Sequence, residues 1–437
     1  MDGPTLTLFL VQISLVLAFP LFVAILLKKL SLSPLVVELL CGVVLGPSVF
    51  GVLAPQLYQG VFPTMGRATQ AREAVTEIGL LIFVFLAGLE VQTGHLRKQG
   101  KAVIWTSALG IVIPFGLGMW AVLLWPGLWR AKSQHSLILL ALFIATSLSI
   151  SALPVIARIL VDLNLIKTEL GFIIMTTATV NDLIGWGLFA VILSNFGGEG
   201  HSGRNLWASL VVVLLVFGLI LSLSNKRIQR AVAWLNLPKE TLQLKLTFLV
   251  VTTAAIIAQV TGTHATLGAF LAGVALARIP EARNLAHSSF HRTTAGIFAT
   301  LYFVSIGLRA NFVASFDIVL VLVVLLLACA GKIGGVYLGG VLGGKTPRES
   351  LVVAFGLNAR GAVGIVLTTV ALEYKLIDQR VFVALIIMAL ATSVLSAMGI
   401  KHVLGKTTAG PAEKPELLPS LRPRGLISGF IPANTGS

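Results

Sequence analysis

Charged side chains are scarce in this 437-residue chain: Asp, Glu, Lys and Arg make up 11% of it, against about 25% in an ordinary soluble domain. Acidic residues are the scarcer sign, 17 against 32 basic ones. A chain that is 56% hydrophobic with so little charge is excluded as a soluble fold and reads as an integral membrane protein. Cysteine is nearly absent. Cys41 and Cys329 each lie in an apolar run, which excludes a disulfide framework and a cysteine zinc site and leaves both as packing residues. The opening MDGPTLTLFL lacks the basic stretch of a cleaved signal peptide. A net charge of +15 would suggest nucleic acid in a soluble protein; here basic cytoplasmic loops account for it, and no nucleic-acid partner is expected.

What is present is a succession of apolar runs. Thirteen candidate spans fall at roughly 5–27, 34–50, 74–91, 102–124, 135–157, 169–195, 206–223, 244–260, 264–279, 294–308, 315–343, 350–372 and 381–403. The fold class expected is an all-α integral membrane protein, with membrane lipid as its surroundings. Residues 1–405 form the membrane domain; 406–437, rich in Pro, Gly and Ser without a helical period, are expected to be a disordered tail with no soluble domain after it. Of the Lys and Arg residues, 22 fall in loops on the C-terminal side and 8 on the other. That bias puts the C-terminus in the cytoplasm and the N-terminus outside, in a cell (inner) membrane. Trp120, Trp125, Trp129 and Trp207 then fall at the outer interface as an aromatic belt.

Two short motifs recur in order. LLCGVVL (39–45) resembles FLAGVAL (270–276), and FVFLAGLE (83–90) resembles YFVSIGLR (302–309). The implied unit is six helices, spans 1–6 and 8–13, with span 7 as connector. A shift of seven helices reverses direction, so this is an inverted repeat, the pattern of secondary transporters. Such folds bind substrate at the midplane, where discontinuous helices meet. Spans 5 and 12 correspond under the repeat and both carry breaking signals: Pro154 in TSLSISALPV, and Gly356 and Gly361 in FGLNARGAVG.

Asp182 lies near the middle of span 6, where an Asp costs about 2.5–3.5 kcal/mol to insert. Lys332 in span 11 and Arg360 in the broken segment of span 12 are its candidate charge partners. A carboxylate and an ammonium held together at low dielectric are a site where a proton and a metal cation can replace one another. The simpler alternative is a static ion pair that joins two helices. Asn181 can ligate a cation through its carbonyl, and Ser149 and Ser151, at the break, are further oxygen ligands. Thr176, Thr177 and Thr179 are expected to bond their own backbone. Glu38 and Glu90 read as interface ion pairs, and His264 as a packing residue. GGVLGGKT (339–346) fits a phosphate-loop pattern but ends a membrane helix with no strand before it, so it is accidental. No catalytic triad, metal cluster or dinucleotide fingerprint points to an enzyme, and no cofactor is called for.

SISALPVIARILVDLNLIKTELG followed by TATVNDLIGW resembles the monovalent cation:proton antiporter-2 family. So do VVELLCGVVLGPSVFG, FVFLAGLE, HATLGAFLAGVAL, YFVSIGL, GKIGG and GLNARGAVGIVL, in the family's order from about residue 34 to 372. The resemblance implies thirteen helices divided between a dimerisation domain and a mobile core, an elevator-like movement, and a homodimer. It places the ion-binding Asp at Asp182, the core lysine at Lys332, and the crossed broken helices in spans 5 and 12. It implies exchange of Na+ or K+ for H+. Many electrogenic relatives have Asp-Asp where this chain has Asn181-Asp182; one titratable acid suggests one cation for one proton, although Lys332 remains as a second proton carrier. No nucleotide-binding gating domain of the potassium-efflux branch follows, so gating by nucleotide is not expected. Rival readings are a gated potassium-efflux pathway or cation channel, which would need a selectivity filter or acidic ring, and a non-transporting membrane sensor.

Overall fold

The computed structural model describes residues 2–26, 34–89, 100–130, 134–166, 168–194, 240–260, 264–277 and 294–405. Span 7, Glu90, Trp207 and the tail 406–437 lie outside them. The long helices are α1 (Gly3–Leu26), α2 (Pro34–Leu45), α3 (Arg67–Leu89), α4 (Lys101–Leu124), α5 (Gln134–Ser149), α6 (Leu153–Asp162), α7 (Glu169–Ser194), α8 (Glu240–Val260), α9 (Ala265–Leu276), α10 (Ala299–Arg309), α11 (Ile318–Leu342), α12 (Pro347–Leu357), α13 (Ala362–Glu373) and α14 (Gln379–Gly405). Short helices occupy 50–61 and 126–129, and a π-helical turn, Thr294–Phe298, leads into α10. Among the described residues no strand occurs.

Among the described residues, six helical stretches are long and apolar enough to cross a membrane whole, and five apolar helices are shorter. The short ones include the first half of span 5 and the second half of span 12, and both spans are broken into two helices. Exposed apolar side chains on α1 and α4, such as Leu21, Ile25, Ile104 and Val112, suit a hydrocarbon solvent.

The helix starts follow local chemistry. Asp317 caps α11 by accepting from the Leu320 N–H. Thr346 and Glu349 form a reciprocal capping box before α12, with Pro347 where its missing N–H costs nothing. His264, expected to be a packing residue, caps α9: its Nδ1 accepts from the Thr266 N–H. GGVLGGKT proves to be packing surface plus cap. Gly339 and Gly343 lie against α4, Lys345 pairs with Glu169, and the Thr belongs to the capping box.

The helices sort into two groups. α1, α2, α3, α8, α9 and α10 pack against one another; α4 to α7 and α11 to α14 do likewise; helix pairs in substantial contact stay within a group. In group one the repeat is visible as packing. Gly42 of α2 faces Val304 and Gly307 of α10, while Gly273 of α9 faces Phe85 and Gly88 of α3. A Cβ on any of these glycines would overlap the facing backbone. The two contacts join repeat-equivalent positions in the opposite order, as two inverted units interlocked about a common axis require.

Two expectations need correction. Glu38 is buried and accepts from the Thr300 hydroxyl at 2.7 Å, and among the described residues it has no ion pair. Its site is closed by α2 and α10, so a hydroxyl from the second repeat takes the place of the expected cation. Trp120 and Trp125 are half-exposed and meet edge to face at 5.6 Å, as belt residues do, but Trp129 is buried and donates to the Ala121 carbonyl.

Candidate functional site

The break between α5 and α6 leaves the last carbonyls of α5 without helical partners. Two cations supply them. The Arg360 guanidinium donates to the Ser147 carbonyl at 2.8 Å, to the Leu148 carbonyl, and to Ala328 of α11 at 3.3 Å. Lys332 Nζ donates to the Ser149 carbonyl and to Gly110 of α4 at 2.9 Å. The negative end of the α5 dipole thus meets two positive side chains. Both are buried, Lys332 completely.

Arg360 lies in the matching break between α12 and α13, and the two breaks cross. The Ala152 N–H donates to the Ala359 carbonyl at 3.0 Å, and Ser151 Oγ donates to the Leu357 carbonyl at 2.7 Å. Ser393 of α14 donates to the Arg360 carbonyl. Each broken helix therefore satisfies the other's freed backbone.

The predicted helix-break residues divide. Pro154 is in the first turn of α6, just past the break, where proline fits. Gly361 precedes α13, and a Cβ there would overlap Val155 of α6, so the crossing needs glycine at that point. Gly356 is the second-to-last residue of α12, at the near edge of the break, and is packed where a Cβ would come 2.8 Å from Ile174 of α7.

Asn181 and Asp182 are 1% and 4% exposed on α7, which packs against both halves of the crossing. Lys332 and Arg360 both meet the end of α5, and α7 packs against that helix, so the three charged side chains gather at the crossing. Both polar atoms of the Asn181 side chain are buried without a hydrogen-bond partner among the described residues. So are Thr146 Oγ1, Ser147 Oγ, Asn358 Oδ1 and Arg360 Nε. Leaving such groups unpaired costs about 1–3 kcal/mol each, so a concentration of them marks a place built for a polar guest. Ser149 Oγ donates to Ala145 at 2.7 Å, and Ser151 Oγ to Leu357; their lone pairs remain to face a cation. Thr179 bonds its own helix as expected, through Met175, whereas Thr177 meets the Thr106 hydroxyl of α4 at 2.9 Å. A void of about 10 Å³, the size of one water, lies beside the crossing between Ser151, Arg360 and Thr368.

This arrangement is that of a multi-helix membrane protein with crossed discontinuous helices and a buried carboxylate on the helix packed against them. The transmembrane model of the sodium/hydrogen exchanger family matches residues 15–406, and the chain belongs to that family. It is 31% identical over 409 residues to cation/H(+) antiporter 18 of Arabidopsis thaliana, covering 90% of this chain but 49% of that protein. The chain thus spans about half the length of the plant relatives it matches. With the Na(+)/H(+) antiporter NhaS4 of Synechocystis it shares 30% identity, across 91% of this chain and 97% of that one. The structure of the sodium proton antiporter MjNhaP1 from Methanocaldococcus jannaschii superposes with a TM-score of 0.64 at 17% identity, over 93% of this chain and 98% of that one, which shows the fold.

Proposed function

We propose that this protein is a secondary antiporter that exchanges a monovalent cation, Na+ or K+, for H+ by alternating access, with cation and proton competing at Asp182. The observation that carries this reading is the buried pair Asn181–Asp182, whose amide has no hydrogen-bond partner among the described residues, set against the crossed breaks. The cation takes one Asp182 oxygen, Asn181 Oδ1 and the lone pairs of Ser149 and Ser151. When it leaves, a proton takes its place, because a bare carboxylate in a membrane interior is the costliest state of the site. Arg360 acts as a fixed charge that holds the crossing together. Lys332 balances Asp182.

With one acid in the pair, the exchange is one cation for one proton and electroneutral, provided Lys332 keeps its proton throughout. Group two is the moving core and group one the dimerisation scaffold of a homodimer. The basic-loop bias orients the C-terminus to the cytoplasm of a cell membrane. The names of the relatives agree with cation and proton as substrates.

The test is a pH-gradient assay in proteoliposomes with sodium, potassium and lithium in turn, with and without a clamped potential. The wild-type chain should dissipate the gradient on addition of its cation, at a rate the potential does not change. Asp182→Asn should insert and fold yet give no exchange; exchange at the wild-type rate in that variant overturns the proposal.

A further inference from the structure

Of the ion pairs among the described residues, Arg158–Asp162, Lys345–Glu169 and Arg380–Asp317 lie within group two. The fourth crosses between the groups: Arg309, at the end of α10, pairs with Glu373, at the end of α13. It is not alone there. His264 of α9 meets the Tyr374 ring edge-on at 6.4 Å, a second contact across the same seam. Beneath them is a cavity of about 280 Å³ lined from both sides, by Glu77, His264, Tyr302 and Arg309 of group one and Thr369 and Glu373 of group two. Deeper in the seam the contact is apolar and dry, Trp186 of α7 stacked on Phe270 of α9 with centroids 5.0 Å apart.

We propose that Arg309–Glu373 is a latch across the seam that keeps this face closed, and that it opens whenever the cation path opens to this face. The inference rests on the alternating-access reading, since only a seam that moves needs a latch. Three features suit it. The pair is part-exposed, 23% at Arg309 and 41% at Glu373, so it is less costly to part than a fully buried pair. Its partners belong to elements that otherwise pack apart. And Arg309 has somewhere else to go: Glu77, on α3 of its own group, lines the same cavity, and Glu73, also on α3, lines a neighbouring cavity with Arg309. A cation with one acceptor on each side of a seam has two discrete states, which makes a switch of what would otherwise be a brace. The cavity below, with hydroxyls and two carboxylates at its mouth, is then the vestibule through which the cation passes.

Thr369 reports the state of the seam, because it is buried there at 3% exposure and faces the cavity. Thr369→Cys, in a chain with Cys41→Ser and Cys329→Ser, is placed in lipid nanodiscs, where both faces are open to solvent, and reacted with a charged, membrane-impermeant maleimide. Arg309→Gln and Glu373→Gln should each raise the labelling rate about five-fold or more, the lower range of coupling between two states. The exchanged pair, Arg309→Glu with Glu373→Arg, should return it towards the parental rate, which a merely misfolded variant would not do. Parental labelling rates in both single variants, or a swapped protein labelled as fast as the singles, would overturn the latch. Exchange by the parental chain is measured alongside in proteoliposomes. Its absence there would remove the transport reading, while the labelling rates still decide whether the pair holds the seam.

Discussion

In group one, α2 meets α10 and α3 meets α9 through glycines, backbone against backbone, and the buried carboxylate Glu38 is met by one hydroxyl. In group two, Asp182, Lys332 and Arg360 are buried around a crossing whose freed carbonyls are taken up by the two cations. The difference teaches where the chain keeps its polarity. Group one is closed by shape, so any added atom harms it. Group two is closed by charge, and both side-chain polar atoms of Asn181 and the Oδ1 of Asn358 have no hydrogen-bond partner among the described residues. A scaffold and a substrate site are expected to differ in this way, because a site must exchange what fills it and a scaffold must not.

The largest effect should come from breaking the shape. Gly307→Leu forces a side chain into the Gly42 backbone, an overpacking that costs about 1–3 kcal/mol or more, whereas Gly187→Ala, with open space around it, should cost under about 1 kcal/mol. Thermal unfolding in detergent separates the two; equal melting temperatures would mean the helices can part. The next effect concerns charge. Arg360→Gln leaves the Ser147 and Leu148 carbonyls without their charged donor, at about 1–2 kcal/mol in all because the Gln amide can still donate to one of them, and should lower both stability and exchange. A variant with full stability would show that the crossing does not depend on the guanidinium.

The smallest effect tests a cap on the same broken helix. Accepting from the Thr346 N–H holds the Glu349 carboxyl below its ordinary pKa. A carboxyl whose folded pKa is depressed stabilises fully above the unfolded value, near 4.5, and loses that contribution as pH falls through the folded value. Glu349→Gln should therefore melt lower than wild type at pH 7, by up to about 1 kcal/mol, with the gap closing below pH 4. A gap that persists in acid would assign the effect to packing.

Much of this was legible before the structure. Periodic apolar runs mark the helices, Gly361 and the residues around Pro154 mark the breaks, and an Asp in an apolar run marks the site because burial makes it expensive. The glycines of LLCGVVL and FLAGVAL mark the repeat, since close backbone contact leaves a residue signature. What could not be read is partnership across the chain. Glu38 and Thr300 are 262 residues apart, and nothing local to Glu38 distinguishes a hydroxyl partner from a cation. Arg360 reads as a partner for an acid, but its visible bonds go to carbonyls that only the neighbouring break exposes. Gly356 reads as a breaker because glycine weakens helices; its second role, close packing against Ile174, appears only in the structure. The Arg309–Glu373 pair is invisible in sequence, as surface arginines and glutamates are common and their pairing depends on how two groups of helices meet.

The claim that a cation and a proton compete for one carboxylate has a direct measurement: protons released when purified protein binds its cation, titrated in weakly buffered detergent solution across pH. Wild type should release one proton per cation bound at pH values where Asp182 is protonated, with cation affinity there falling about ten-fold for each unit of pH decrease, and Asp182→Asn should release none. Cation binding that is independent of pH, or proton release that survives in Asp182→Asn, would contradict it.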